Sequence, residues 1–65
     1  MTLAEIKSAV ESGKHVYWQN AAYRVVRDDL GQWLIVHRAN VIGLTHDDGV
    51  TLNGKPFEFY AVSYK

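Results

Sequence analysis

The sequence predicts an α+β domain, with one N-terminal helix packed on a strongly twisted antiparallel sheet of four or five strands. Three observations predict it. A capped amphipathic segment opens the chain, and the hydrophobic period changes from about 3.6 to about two at His15. The strand-like segments that follow are joined by connections too short to cross over to a parallel neighbour. All 65 residues are expected in a single domain, 1–65.

The helix begins after Thr2. Glu5 lies three residues on, so the pair forms a T-x-x-E capping box that satisfies two backbone donors reciprocally. Leu3, Ile6, Ala9 and Val10 share one stripe, and Gly13 stands where a left-handed residue would close the C-terminus. About three turns are too few to persist alone, so this helix must dock on the sheet.

His15–Gln19 reads as the first strand, rich in β-formers. Asn20–Ala22 reads as a connection, Tyr23–Arg27 as the second strand, and Asp28–Gly31 as its closing turn. Gln32–Arg38 is the third and most continuous strand, followed by a turn at Ala39-Asn40 and a short fourth strand at 41–44. Thr45–Gly49 is turn-rich, Val50–Leu52 is a short apolar piece, and Asn53-Gly54 carries a two-residue hairpin signal. Pro56 cannot donate to a ladder and limits the start of the last strand, Phe57–Ser63.

Composition sets the class. Apolar residues are 48% of the chain and charged residues 22%, an ordinary globular mix. Seven Lys and Arg balance seven Asp and Glu, Cys is absent, and Gly and Pro number five and one. Collagen-like and disulfide-scaffold classes are thereby excluded. No apolar run reaches the ~20 residues of a membrane span, so no membrane role is expected. The first residues lack a basic region followed by a long apolar stretch, so no signal peptide is expected, and the expected location is cytoplasmic. In so short a chain the gain from burial and the cost of ordering nearly cancel, which makes a homodimer one expectation.

Alternation along the strands puts Trp33 and Ile35 on one face and Leu34 and Val36 on the other. Both sets are apolar, whereas a sheet with one wet face alternates apolar and polar. A curved, barrel-like sheet wrapping its own core is the favoured reading, and a second face covered by a partner is the sharper one.

Chemistry is sparse. His15, His37 and His46 lack metal-ligand spacing, and His46-Asp47-Asp48 reads as a solvated turn; no metal or cofactor is expected. Ser8, Ser12 and Ser63 have no nucleophile elbow, and Asp28-Asp29 sits in a hairpin turn, so no catalytic residues and no enzyme are expected. Tyr17, Tyr23, Arg24, Trp33, His37 and Arg38 form the candidate binding set, since aromatic and Arg side chains on neighbouring strands suit interface hot spots. The same set can stack single-stranded bases, but the neutral charge lacks a basic footprint and disfavours nucleic acid.

Val16-Tyr17-Trp18-Gln19-Asn20, Gly31-Gln32-Trp33-Leu34-Ile35-Val36, Ile42-Gly43-Leu44-Thr45 and Asp48–Pro56 carry a resemblance. The stretch from Val16 to Tyr60 resembles small phage, prophage and mobile-element proteins of no assigned activity. The resemblance implies a short accessory protein acting inside a bacterial cell, and no functional residues. The expected function is a non-enzymatic interaction protein that binds a host or self protein, with single-stranded nucleic-acid binding as the alternative.

Overall fold

The structure is a computed structural model and describes residues 1–63. One helix, α1 (Leu3–Glu11), packs on a five-stranded antiparallel sheet. The strands are β1 (His15–Trp18), β2 (Asn20–Arg27), β3 (Trp33–His37), β4 (Asn40–Gly43) and β5 (Phe59–Val62), in spatial order β4-β3-β2-β1-β5. The expected α+β architecture is therefore the observed one. The barrel-like alternative is not adopted, because β4 and β5 remain separate edges of an open sheet.

The helix ends form as the sequence predicts. Thr2 Oγ1 accepts from the Glu5 N–H at 3.2 Å, and the Thr2 N–H donates to Glu5 Oε1 at 2.8 Å. At the other end the Lys14 N–H donates to the Ala9 carbonyl and the Gly13 N–H to the Val10 carbonyl, with Gly13 at φ 89°. This is a Schellman closure, and it turns the chain directly into β1.

Between β1 and β2 the pairing changes register. Tyr17 lies opposite Arg24, but Trp18 lies opposite Asn20, so Ala21, Ala22 and Tyr23 bulge from the ladder. The chain reverses at Gln19 (φ 66°), whose N–H is held by the Glu58 carbonyl at 2.8 Å. The Asn20 side chain accepts the Ala22 N–H within the bulge. An odd number of inserted residues exchanges the two faces of a strand. The bulge therefore sets Val25, and not Arg24, beside Val16.

Ladder partners share a face, so Val16, Val25 and Ile35 form one row across β1, β2 and β3. Ile6 and Ala9 of α1 close over that row, and Leu44 and Phe59 complete the buried core. Beyond β4 the chain folds back over the same side of the sheet. A single bridge joins Thr45 to Leu52, and the Asn53 N–H donates to the Leu44 carbonyl. Leu52, Trp18, Tyr23 and Trp33 then pack against the core from its rim.

Several local expectations are corrected. The β3–β4 turn is Arg38-Ala39, not Ala39-Asn40, because His37 pairs with Asn40 and Arg38 takes φ 55°. Val50–Leu52 contributes one bridge rather than a strand. Pro56–Glu58 is a 3₁₀ turn, so the last strand begins at Phe59. Asn53-Gly54 is not a hairpin turn. Asn53 instead donates from Nδ2 to the Gly43 carbonyl at 2.8 Å, and Gly54 lies against the Trp18 indole. A Cβ at position 54 would overlap the Trp18 indole at Nε1.

Two outcomes are expected. Gly54→Ala should destabilise the fold by about 1–3 kcal/mol through this overlap, with a shifted Trp fluorescence maximum in the native baseline of a urea titration. Arg38→Gly should raise stability by roughly 0.5–1 kcal/mol in the same assay, by relieving a left-handed conformation that a side chain disfavours.

Candidate functional site

The structure separates the candidate binding set. Tyr23, Trp33 and His37 lie on the face that holds the core, in register with Val25 and Ile35. Tyr17 and Arg24 lie opposite each other on the other face, and Arg38 is exposed at the β3–β4 turn. No single surface presents all six.

On the core face the aromatic residues pack on one another. The Tyr23 ring stacks on His37 at 4.4 Å and meets Trp18 edge-on at 5.3 Å; Trp18 in turn stacks on Phe59 at 6.2 Å. Trp18 and Phe59 are ladder partners, Tyr23 and His37 sit on neighbouring strands, and the bulge brings Tyr23 to Trp18; such geometry stabilises a small rim. Trp18 Nε1 donates to Glu58 Oε1 at 3.4 Å. The Glu58 carboxyl is held below the usual carboxylate range, chiefly by the Lys55 backbone N–H at 2.7 Å and further by Trp18 and Gln19. Lys7 Nζ stands 5.6 Å over the Trp33 ring. Trp18, Tyr23, Trp33 and His37 are all half-buried in these contacts.

The opposite face has a different character. Tyr60, Tyr17, Arg24, Val36 and Val41 form one row across all five strands. Val62, paired with His15, and Leu34, paired with Val26, belong to the neighbouring row, which ends at Gly43. Among the described residues none of these belongs to the cluster of buried residues that includes Ile6 and Ala9 of α1, although Tyr17 is itself buried. Tyr17 is buried by its neighbours, with Tyr60 at 5.6 Å, and its hydroxyl lies 3.4 Å from His15 Nδ1. Val41 and Tyr60, at the two ends of the row, are 53% and 40% exposed. Arg24 is the one residue of formal charge in the two rows, and no carboxylate stands in them.

Alternation signalled this face in the sequence through Leu34 and Val36. It could not show that Val26 and Val41 join them, because that depends on strand register, or that Tyr60 and Val62 do, because that depends on the bulge between β1 and β2. The exposed Phe57, 79% accessible on the 3₁₀ turn, was also not foreseen.

The polar turns are structural. Asp28 Oδ1 accepts the Leu30 and Gln32 N–H groups and shapes the β2–β3 turn. Asp48 Oδ1 accepts the Val50 and Thr51 N–H groups, each at 2.9 Å, and Oδ2 accepts the Thr51 hydroxyl at 2.6 Å. Among the described residues no group of three or more His, Asp or Glu is placed to hold a metal. No helix among them is long and apolar enough to cross a membrane.

The Thr51 hydroxyl and N–H, followed by the Val50 N–H, hold the Asp48 carboxyl down from an ordinary 3.8 to about 2. A lowered folded value means these bonds stabilise the loop fully above the ordinary value and are lost as pH falls through about 2. An NMR titration should place the Asp48 midpoint near 2, with Val50 and Thr51 amide exchange accelerating over the same range. Asp48→Asn should remove that transition.

Comparison of the chain with protein-family models, with curated proteins and with solved structures finds no match.

Proposed function

We propose that this chain is a non-enzymatic protein-binding module and that it binds through the sheet face opposite α1. The observation that carries the reading is the pair of apolar rows on that face, centred on Arg24 and uncovered by any described element. Apolar surface of this extent on a small domain marks an interaction site. Aromatic and Arg side chains within it match the chemistry of interface hot spots. Arg24 among apolar neighbours and without a carboxylate favours a partner that presents an acidic side chain surrounded by apolar ones. The resemblance to mobile-element proteins agrees with a host protein as that partner, met in the bacterial cytoplasm.

The single-stranded nucleic-acid reading has less support. It needs several open aromatic rings beside cations, and Tyr23, Trp18 and Trp33 are engaged on the core face. On the open face Tyr60 is the exposed ring and Arg24 the cation.

A photo-crosslinking residue at position 36 tests the proposal in bacterial lysate. The expected result is a discrete, nuclease-resistant protein adduct that persists in high salt. Val41→Glu and Tyr60→Ala, at the two ends of the row, should each weaken capture about tenfold or more while the fold is kept. Nuclease-sensitive capture that falls steeply with salt would favour the nucleic-acid reading instead.

A further inference from the structure

We infer that the β5 edge and the adjoining flank of α1 form a self-complementary surface that pairs with a second copy of this chain about a twofold axis. The inference stands on a different surface from the open-face reading and does not depend on it.

The first observation is the hydrogen-bonding state of the edge. The Gln19 N–H donates to the Glu58 carbonyl, which sets the ladder so that Tyr60 and Val62 bond to β1. The backbone groups of Ala61 and Ser63 then point away from the sheet. The Phe59 N–H also points away, but the Pro56 carbonyl already accepts it. Ala61 and Ser63 are exposed, and among the described residues their backbone N–H and C=O groups meet no partner. Among the described residues the edge carries no Lys, no Pro and no bulge, the usual guards against strand addition.

At the opposite edge the Leu44 N–H donates to the Trp33 carbonyl, so Val41 and Gly43 are the outward residues there. The Asn53 side chain covers the Gly43 carbonyl, and Val41 keeps outward groups of its own. What distinguishes β5 is the helix flank that stands beside it.

The second observation is what flanks this edge. An open trough of ≈ 390 Å³ runs between Ala61 and α1, with Ala4, Ser8 and Ser12 on its helix side. Small side chains there let another backbone or helix approach closely. Glu5 stands towards one end of this trough and Lys14 towards the other. Because α1 and β5 both run antiparallel to β1, a twofold axis at the β5 edge sets two α1 helices antiparallel. Glu5 of each copy then faces Lys14 of the other. An unrelated strand satisfies the edge equally well, but the opposite charges at the two ends are matched by the chain itself.

The register follows. With Val62 on the axis, Ala61 of each copy lies opposite Ser63 of the other, and four backbone hydrogen bonds form. One four-residue strand edge and one flank of a nine-residue helix make a small interface, so the dimer should be weak and concentration-dependent. The product is a ten-stranded sheet with both helices on one side.

Sedimentation equilibrium from micromolar to millimolar concentration, with amide exchange on the same samples, tests the proposal. The expected result is a monomer–dimer equilibrium in which Ala61 and Ser63 amides slow as concentration rises. Tyr60 and Val62 amides should be protected throughout. Ala61→Pro removes an outward donor without breaking the β1 ladder, and should raise the dimer Kd by roughly thirty-fold, two hydrogen bonds being lost. Lys14→Glu, a surface change, should weaken the dimer severalfold and more so at low salt. Should Ala61→Pro fail to fold, Lys14→Glu and the wild-type exchange data decide. A monomer at every concentration overturns the proposal. So does a dimer that Lys14→Glu leaves unchanged and in which Val41 and Leu34, rather than Ala61 and Ser63, become protected.

Discussion

The structure depends on one row of three β-branched side chains. Val16, Val25 and Ile35 lie side by side on adjacent strands, and Ile6 of α1 closes over them. Each is almost wholly buried, and each contributes about 1.5–3 kcal/mol of transfer free energy. Apolar side chains alone do not make such a row, since register must bring them to the same face. The three-residue bulge at Ala21–Tyr23 does this by exchanging the faces of β2 relative to β1. A regular hairpin continuing from the Trp18–Asn20 pair would instead bring Ala22 beside Val16 and leave Val25 out of the row. The positive φ of Gln19 and the Glu58 carbonyl that receives its N–H hold the reversal that makes the bulge possible.

The rest of the core compensates for the short helix. A helix lying along the strands is about 10–12 Å across, whereas five strands span about 19 Å between the outer strand axes. The helix therefore lies over β1, β2 and β5. The segment that follows β4 brings Leu44 and Leu52 to the remaining part of the same face. Its close approach requires Gly54, because the Trp18 indole occupies the space a Cβ would need. The Asp48 turn and the Asn53 amide satisfy the backbone of this segment, which has little regular structure of its own.

Much of this was legible in the residues. The capping box, the Gly13 closure and the change of period at His15 follow from local chemistry, and all three carry over into α1 and the antiparallel sheet. What was not legible depends on distant partners. Asn53-Gly54 has the composition of a hairpin turn, yet Trp18, far away in sequence, determines what Gly54 does. Phe57-Glu58 has strand-like residues, yet Pro56 and the Lys55 carbonyl draw them into a 3₁₀ turn. The candidate binding set fails as a single surface for the same kind of reason. Tyr23 and Arg24 are adjacent in sequence and so face opposite ways, and the bulge decides which of them meets the core.

The open face then poses a question that folding alone does not answer. The core needs Val25 and Ile35, but it makes no use of Val26, Leu34, Val36, Val41 or Val62. Threonine or a charged residue at those positions would retain strand geometry and leave the helix side untouched. Their apolar identity adds aggregation hazard and little internal packing. A chain with one short helix cannot cover both faces of a five-stranded sheet. Selection for stability alone would therefore have made the second face polar. That it is apolar around a single arginine is the observation on which the proposed protein-binding role rests.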